Sequence, residues 1–296
     1  MITFAVPFYR GADYLDRAVR SAVAQAAPDW RLVVSDDSPD GSGAAVVERV
    51  GDARVRYSRN PHTLGMAGNW NRCLELADTP LVTLLHADDE LLPNYAAVMR
   101  AGAAAHPTAA ALYCGAVVIG PTGGPVFSLV DRVKGFIAPR STGPTRLAGP
   151  AGIAALLRGN FIMCPTVCYR TAALRDRRFD PRWRFVLDLD FFTRLLADGD
   201  AIVGLPETAY AYRRHAGNAT AEYTETLLRF EEEAALYDAL AAEARQRGRG
   251  WEAVRRAGRG KRVVRLHLLY RAAADLVRGR PAAAATKLTR LTEMAR

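Results

Sequence analysis

The sequence lacks the features that mark several specialised classes of protein. Among its 296 residues, no apolar run approaches the roughly 20 residues that cross a bilayer, and no charged segment precedes the apolar start at Ile2. We therefore expect an unexported, cytoplasmic protein. Its four cysteines (Cys73, Cys114, Cys164 and Cys168) are too few and too scattered for a disulfide scaffold, and no CxxC pair indicates zinc. We expect buried thiols instead.

Basic residues near the end of the sequence lack acidic residues to balance them. Residues 251–296 hold twelve Lys and Arg and three acids, and this excess of nine equals the net charge of +9 for the whole chain. Few aromatic residues accompany the basic ones, which argues against nucleic acid as a partner. A helix over 263–277 with arginines on its polar side fits two interpretations. It could pack against the rest of the chain or a second subunit, which we favour, or lie as a peripheral contact on the inner face of an anionic membrane.

Strand and helix signals alternate through the first hundred residues, as in βαβ units with a largely parallel sheet. We predict an α/β fold whose first strand, over residues 2–6, is stopped by Pro7. Residues 120–150 show no sustained period, and so long a connection is usually functional or mobile, which predicts a lid or an acceptor-facing loop. Two strands, over 201–205 and 208–213, precede a helical C-terminal part.

Acidic residues fall where two of the predicted strands end. Asp36 and Asp37 follow the strand over 31–35, and Asp88 and Asp89 follow the strand over 81–85. The carboxyl ends of parallel strands are where open α/β folds bind ligands. A carboxylate there can accept hydrogen bonds from a nucleotide base or ribose, or hold Mg²⁺ together with substrate phosphates. The structural alternatives are a solvated acidic turn, an Asx turn or a helix cap.

A third acidic motif opens a predicted helix over 188–197. Asp188 and Asp190 are two residues apart, so at most one of them can face a cleft. Arg194 lies four residues after Asp190 and can pair with it, whereas the structural alternative for Asp188 is a helix cap. Further along, two arginines and a histidine end the strand over 208–213, where they could balance the charge of a diphosphate.

In this order the motifs resemble those of family 2 glycosyltransferases with a GT-A fold, over residues 1–215. The matching segments are 2–9 with Gln25, Ser35-Asp36-Asp37-Ser38, 64–71 with Asn69, His86-Ala87-Asp88-Asp89, 187–194 and Tyr212-Arg213-Arg214-His215. The resemblance implies a GT-A catalytic domain over 1–215, with a nucleotide-binding half (1–105) and an acceptor-side half (106–215). The fold implied by the resemblance is a Rossmann-like, mostly parallel sheet flanked by helices. Residues 216–296 would form a basic helical C-terminal extension.

The resemblance also implies a role for each matching residue. The nucleotide would be bordered by Pro7, Tyr9, Asp36, Asp37, Asn69, His86, Ala87 and Asp88, with Asp36 meeting the base. Asp88 would hold Mn²⁺ or Mg²⁺, with His86 and His215 as further candidate ligands. Asp188 would be the general base, and Arg213, Arg214 and His215 would face the diphosphate. Two positions depart from the family pattern, because His86 and Leu187 stand where many members have acids.

The activity implied is an inverting hexosyl transfer from a UDP- or dTDP-sugar to a hydroxyl of a glycan, a lipid-linked or a small-molecule acceptor. Asp188 would take the acceptor proton and the cation would stabilise the leaving diphosphate. One alternative is a sugar-nucleotide pyrophosphorylase, but its expected glycine-rich loop is replaced by a single glycine, Gly11, after the first strand. A non-catalytic nucleotide-sugar-binding protein is the other alternative.

Overall fold

A computed structural model describes residues 1–126 and 143–294, and in these residues a nine-stranded sheet forms the centre of the protein. The strands are β1 (Ile2–Phe8), β2 (Trp30–Asp36), β3 (Val55–Arg59), β4 (Leu81–Leu84), β5 (Glu90–Leu91), β6 (Ala109–Ile119), β7 (Thr145–Ala148), β8 (Val167–Arg170) and β9 (Ala201–Arg213). Their order is β3-β2-β1-β4-β8-β6-β9-β5, and β7 pairs with β9.

Helices flank this sheet and continue beyond it. In the described residues they are α1 (Ala12–Val23), α2 (Gly43–Val50), α3 (Gly65–Leu76), α4 (Tyr95–Ala105), α5 (Gly149–Leu157), α6 (Thr171–Leu174), α7 (Leu187–Ala197), α8 (Ala219–Glu225), α9 (Leu228–Arg247), α10 (Glu252–Gly260), α11 (Arg262–Val277) and α12 (Pro281–Glu293). None of them is both long and apolar enough to cross a bilayer.

The first half of the sheet is parallel, as the alternating pattern predicts. Strands β3, β2, β1 and β4 pair in parallel and are connected through α1, α2 and α3. Helices cover both faces of such a sheet, so its central strands β1 and β4 are buried along most of their length, whereas the edge strand β3 is largely polar. In β1, Phe4 and Val6 belong to one core cluster and Ala5 to the other. The second half adds antiparallel pairings through β8, β5 and β7.

The prediction that Pro7 stops the first strand is wrong. Strand β1 continues to Phe8, and Pro7 is paired with Ser35 of β2. On its other side the β4 ladder already ends at the Ala5–Leu84 pair. Proline lacks a backbone N–H, and it is tolerated here because no β4 residue requires that donor.

Two further predictions are corrected in the second half. The strands expected over 201–205 and 208–213 form one strand, β9, whose parallel pairing with β6 has register shifts around Gly115. Such irregularities bend a strand without ending it. Within the predicted loop 120–150, residues 145–148 form β7 on the edge of β9. Residues 127–142 of that loop lie outside the described residues.

The C-terminal helices share their core with the rest of the chain. One apolar cluster joins Phe191 and Phe192 of α7 with Phe230, Leu240 and Trp251. The close contact between α9 and α10 depends on Gly258, since a Cβ there would lie 2.6 Å from the Tyr237 carbonyl oxygen. The predicted helical extension is therefore present, and it packs against the sheet-containing part.

The expected burial of thiols holds for Cys73, Cys114 and Cys168. Burial raises the pKa of the Cys114 and Cys168 thiols to about 12. A thiol reacts as its thiolate, so these side chains act as small apolar groups of the core.

Candidate active site

The carboxyl ends of the parallel strands bring the predicted nucleotide residues to one edge of the sheet. Phe8 of β1 is in register with Asp36 of β2, so Pro7 lies at the same level as Ser35. Tyr9 follows β1 and is 42% exposed, and Arg10 donates a hydrogen bond to its hydroxyl at 3.3 Å. This is the edge at which open α/β sheets bind ligands.

Asp36 is fully buried at this edge, and protein groups occupy its carboxylate. Oδ1 accepts the Ser38 N–H at 2.8 Å, and Oδ2 accepts the Gly43 N–H at 2.9 Å and the Tyr57 hydroxyl at 2.8 Å. Gly43 begins α2, where the helix dipole favours a negative charge. Burial, and after it the hydrogen bond to Asp36, raise the pKa of Tyr57 to about 12. These contacts favour a structural role over the predicted contact with a base.

Asp37 anchors the next helix in the same way. Its Oδ1 accepts the Asn60 amide at 2.9 Å and the Leu64 N–H at 2.8 Å, and its Oδ2 accepts the Gly65 N–H at 3.0 Å. Gly65 begins α3 with a φ of +74°, a left-handed conformation that glycine adopts without strain. Asp37 therefore fixes the loop between β3 and α3 against the end of β2.

The predicted Asn69 is buried behind this loop and joins two strands. Its Nδ2 donates to the carbonyl oxygens of Phe8 and Ser35, each at 3.2 Å. Beside the loop lies an open depression of about 380 Å³. It is lined by Ser38, Pro39, Arg59, Asn60, Pro61, His62 and Thr63. Because Asn69 is buried and its amide holds the ends of β1 and β2 together, it supports this edge of the sheet from within and does not line its surface.

Asp88 lies beyond β4 and contacts the end of β9. Its Oδ2 accepts the Asn218 amide at 2.9 Å and lies 3.0 Å from His215 Nε2. Gly217 donates its N–H to His215 Nδ1 at 3.1 Å, so the proton of the neutral ring is on Nε2, facing Asp88. The Tyr14 ring stacks on the imidazole with centroids 4.8 Å apart. The structure therefore joins two of the predicted site residues, 127 positions apart in the sequence.

His86 contributes a second imidazole to this region. Its Nε2 is buried and has no hydrogen-bond partner in residues 1–126 and 143–294. The ring packs on Trp70 with centroids 5.2 Å apart. Burial lowers the pKa of His86, an effect that the negative charge of Asp88 opposes. The ligand atoms of His86, Asp88 and Asp89 lie within 4.8 Å of one another, which suits a divalent cation.

In Asp89, unlike His86, the ligand atoms already accept hydrogen bonds from other groups of the protein. It is buried, and it accepts the Arg213 N–H at 2.7 Å and the Tyr210 hydroxyl at 3.0 Å. Burial, followed by the charge of Asp88, raises the pKa of Asp89. The neighbouring Ala87 packs partly against the core. Asp88 and His86 are therefore the better candidate ligands.

Arg213 is buried at the end of β9, and protein groups occupy its guanidinium. Its side chain is fully buried and donates to the carbonyl oxygens of Asp88 at 2.7 Å and Gly120 at 2.9 Å, and it pairs with Glu90. These contacts hold the Asp88 backbone against β9 and do not favour a contact with a diphosphate. Arg214 is half-buried, with its guanidinium 5.7 Å from the centroid of the Tyr212 ring.

Asp188 is the second residue of α7 and is half-buried. Its Oδ2 accepts the Asn160 amide at 3.3 Å, and its Oδ1 accepts the Leu189 N–H at 2.8 Å. The predicted pair between Asp190 and Arg194 is confirmed, with Nε and Oδ2 2.8 Å apart. Asp190 is thereby committed to an ion pair on the same helix.

A glutamate from the C-terminal helices fixes the chain just before Asp188. Glu232 of α9 is 8% exposed, and its carboxylate accepts the backbone N–H groups of Arg184, Phe185 and Val186 at 2.7–3.2 Å. No sequence motif marked Glu232, because its partners are backbone groups 46–48 residues away. The start of α7 is therefore positioned by a residue of the predicted extension.

Asn160 and Tyr169 are also residues that the sequence prediction missed. The Asn160 Oδ1 and the Tyr169 hydroxyl are buried without a hydrogen-bond partner in the part of the chain that the structure describes. Burial raises the pKa of Tyr169, and the charge of Asp188 contributes to the shift. Buried polar atoms are normally paired, so these two atoms next to Asp188 are candidates for contacts with a ligand.

The chain is similar in sequence to known glycosyltransferases, and the similarity includes several of the site residues described above. The model of the family "Glycosyl transferase family 2" matches residues 3–162. The chain is 33% identical to the GalNAc(5)-diNAcBac-PP-undecaprenol beta-1,3-glucosyltransferase of Campylobacter jejuni over an aligned segment of 94 residues. This segment covers 31% of this chain and 30% of that protein. It is 32% identical to the succinoglycan biosynthesis protein ExoO of Rhizobium meliloti over an aligned segment of 93 residues, which covers 31% of this chain and 27% of that protein. The matches thus span less than a third of these curated relatives.

Solved structures show the same fold over more of the chain. The structure of S. aureus TarS 1-349 in complex with UDP-GlcNAc superimposes with a TM-score of 0.61 at 20% identity, covering 82% of this chain and 66% of that one. The mannosyltransferase PcManGT from Pyrobaculum calidifontis in complex with GDP-Man and Mn²⁺ gives 0.60 at 16% identity, covering 99% and 75%. These likenesses confirm the predicted GT-A fold.

Proposed function

Since the chain belongs to glycosyl transferase family 2, we propose that it acts on a nucleotide sugar and transfers a hexose with inversion from a UDP- or dTDP-sugar to an acceptor hydroxyl. The observation that supports this proposal most is the contact between the Asp88 carboxylate and His215 Nε2, close to the His86 Nε2 that has no hydrogen-bond partner among the described residues. Such a group suits a cation-bound diphosphate at the edge of a nucleotide-binding sheet.

The donor nucleotide would lie along the edge formed by Pro7, Tyr9 and Ala87. The depression beside Asp37 is the space open to the base, while Asp36, Asp37 and Asn69 hold its walls in place. This arrangement would make the two buried aspartates supports of the nucleotide site. Arg214 and His215 are the closing residues left to face the diphosphate.

A divalent cation fits the residues around Asp88. The Asp88 carboxylate and the His86 imidazole are donors that Mn²⁺ accepts, and the buried His86 Nε2 has no partner among the described residues. His215 Nε2 lies 3.0 Å from the Asp88 carboxylate and would be a further ligand. When bound, the cation would stabilise negative charge on the departing diphosphate. In the neutral ring of His215 the proton is on Nε2, so this nitrogen could bind a cation only in the other tautomer, with the proton on Nδ1.

Asp188 would act as the general base. Its carboxylate would take the proton of the acceptor hydroxyl as that oxygen bonds to the anomeric carbon, while the bond to the diphosphate breaks on the opposite face. The Asn160 amide, which donates to Oδ2, would orient the carboxylate. Asp190 is less suited to this role because Arg194 holds it.

A thermal-shift screen combined with a product assay tests the proposal. Nucleoside diphosphates and their sugars would be added with and without Mn²⁺, and a donor that binds should raise the melting temperature by mass action. Release of nucleoside diphosphate that depends on the cation and on Asp88 would support the transferase reaction. Asp16, which forms an exposed ion pair with Arg20, offers the matched control Asp16→Asn.

The same assay separates the alternatives. A pyrophosphorylase would form nucleoside triphosphate from a donor and pyrophosphate, and a non-catalytic binding protein would bind the donor without turnover. Either result, or the absence of any donor that shifts the melting temperature, would contradict the proposal.

A further inference from the structure

Helix α11 has apolar side chains on two opposite sides. Val264, Leu268 and Ala272 are buried against neighbouring helices. On the other side five large apolar residues are 46–89% exposed, and we call them the outer stripe: Leu266, Leu269, Tyr270, Leu276 and Val277. Their spacing of three, four and seven residues places them on one side of the helix. The helix therefore packs against the protein, as the sequence predicted, and leaves a second apolar side uncovered.

Unpaired positive charge accompanies the outer stripe. Six exposed arginines have no ion-pair partner within residues 1–126 and 143–294: Arg255, Arg256, Arg259, Arg262, Arg265 and Arg278. Other basic residues of this region are paired, as Lys261 is with Asp238 at 2.7 Å and Lys287 with Asp275 at 2.6 Å. With 100° per residue, Arg262 and Arg265 fall on the side of α11 that carries the stripe.

The outer stripe and its arginines together favour one kind of binding partner over the others. A second copy of this chain related by a two-fold axis would bring the same arginines together, and like charges oppose that contact. A polyanion such as nucleic acid would pair the arginines but leave the apolar stripe in water. An anionic bilayer satisfies both, because leucine and valine enter the acyl boundary, tyrosine lies at the interface and arginine meets the lipid phosphates.

We propose that the outer stripe of α11 and its flanking arginines form a binding surface for an anionic lipid membrane. The surface lies outside the residues assigned to catalysis, so its use does not depend on the proposed reaction. For a glycosyltransferase such a surface would supply access to acceptors that are themselves held in a membrane.

Co-sedimentation of the full chain with vesicles tests the surface directly. Vesicles of phosphatidylcholine alone would be compared with vesicles that also contain phosphatidylglycerol, at low and high salt and without any donor. We expect binding only to the anionic vesicles, and weaker binding at high salt, because surface charges are screened.

Variants separate the apolar and the charged contributions. Leu266→Asp/Leu269→Asp removes apolar area and adds two negative charges and should abolish binding, whereas Leu266→Met/Leu269→Met keeps the apolar area and should retain it. Leu266→Gln/Leu269→Gln removes apolar area without changing the charge and should weaken binding on its own. Arg262→Gln/Arg265→Gln should lower the partition coefficient about 25-fold, from a factor of about five for each arginine near an anionic surface. Arg146→Gln/Arg175→Gln removes the same charge from exposed sites elsewhere and should change binding little.

Four outcomes would overturn the proposal. They are equal binding to neutral vesicles, binding to RNA or polyphosphate but not to vesicles, no vesicle binding at all, and a dimer that the double aspartate variant dissociates. Circular dichroism would establish that each variant remains folded. Nucleoside diphosphate release from a soluble donor would be measured separately, so failure of the membrane surface and failure of the proposed reaction are told apart.

Discussion

The carboxylate of Glu232 connects the C-terminal helices to the segment before Asp188, and we expect its removal to impair both stability and turnover. Its two oxygens accept the N–H groups of Arg184 at 3.0 and 3.1 Å, Phe185 at 2.7 Å and Val186 at 3.2 Å. These three amides lead directly into α7, whose own helical hydrogen bonds do not use them.

The size of the effect follows from these contacts. Glu232→Ala leaves three backbone donors without their acceptor in a place where the glutamate is only 8% exposed. A hydrogen bond to a charged group contributes about 1.5–3 kcal/mol, and water would replace part of the lost set. We therefore expect the free energy of unfolding to fall by about 3–5 kcal/mol and the melting temperature by roughly 10 °C. Glu232→Gln keeps one carbonyl oxygen and should lose about half as much.

Urea unfolding and steady-state kinetics of the same variants measure the two effects. Turnover of Glu232→Ala should fall by about tenfold or more, because a displaced base loses transition-state stabilisation, while the affinity for nucleoside diphosphate stays near normal. Glu243→Ala is the matched control, since Glu243 lies on the same helix and its one ion pair within residues 1–126 and 143–294 is with the exposed Arg247. Such pairs contribute about 0.3–0.5 kcal/mol. Stability and turnover of Glu232→Ala within the range of this control would refute the reasoning.

Three further predictions concern the acidic residues. Asp88→Asn should lower turnover by orders of magnitude and remove its dependence on the cation, and full activity in excess chelator would argue against a metal at Asp88. Asp188→Asn should bind nucleoside diphosphate normally yet fail in transfer, and a worse catalyst in Asp190→Asn at equal stability would reverse the two roles. Asp36→Ala should lower the free energy of unfolding by about 3 kcal/mol, because three buried donors lose their acceptor, with the ratio of UDP to CDP affinity unchanged. A changed ratio at wild-type stability would instead support a direct contact with the base.

The first half of the fold could be predicted from the sequence because local and global signals agree there. Strands β1 and β4 are apolar runs, helix α1 has a clear apolar stripe, and the alternation of strands and helices predicts parallel pairing. The edge that carries the site follows from the same rule, since it is where parallel strands end.

The second half depends on contacts between distant segments. Strand β7 has only four residues, and it exists because Ala201 and Val203 of β9 offer it a partner. Pro7 stays within β1 because β4 ends early on its other side, a fact that no local pattern around Pro7 contains. Sequence periodicity reports what a segment prefers, whereas these boundaries were set by the lengths of neighbouring ladders.

The same limit applies to the site residues. A carboxylate at the end of a strand looks identical in sequence whether it contacts a ligand or accepts the N–H groups of the next helix. A structural role is favoured for Asp36 because the Gly43 N–H and the Tyr57 hydroxyl donate to its buried carboxylate. It is favoured for Arg213 because backbone carbonyl groups accept its guanidinium N–H groups. Hydrogen-bonding capacity left unused beside the candidate residues is therefore the better guide to ligand contacts, and His86 Nε2, Asn160 Oδ1 and the Tyr169 hydroxyl are among the described atoms that keep it.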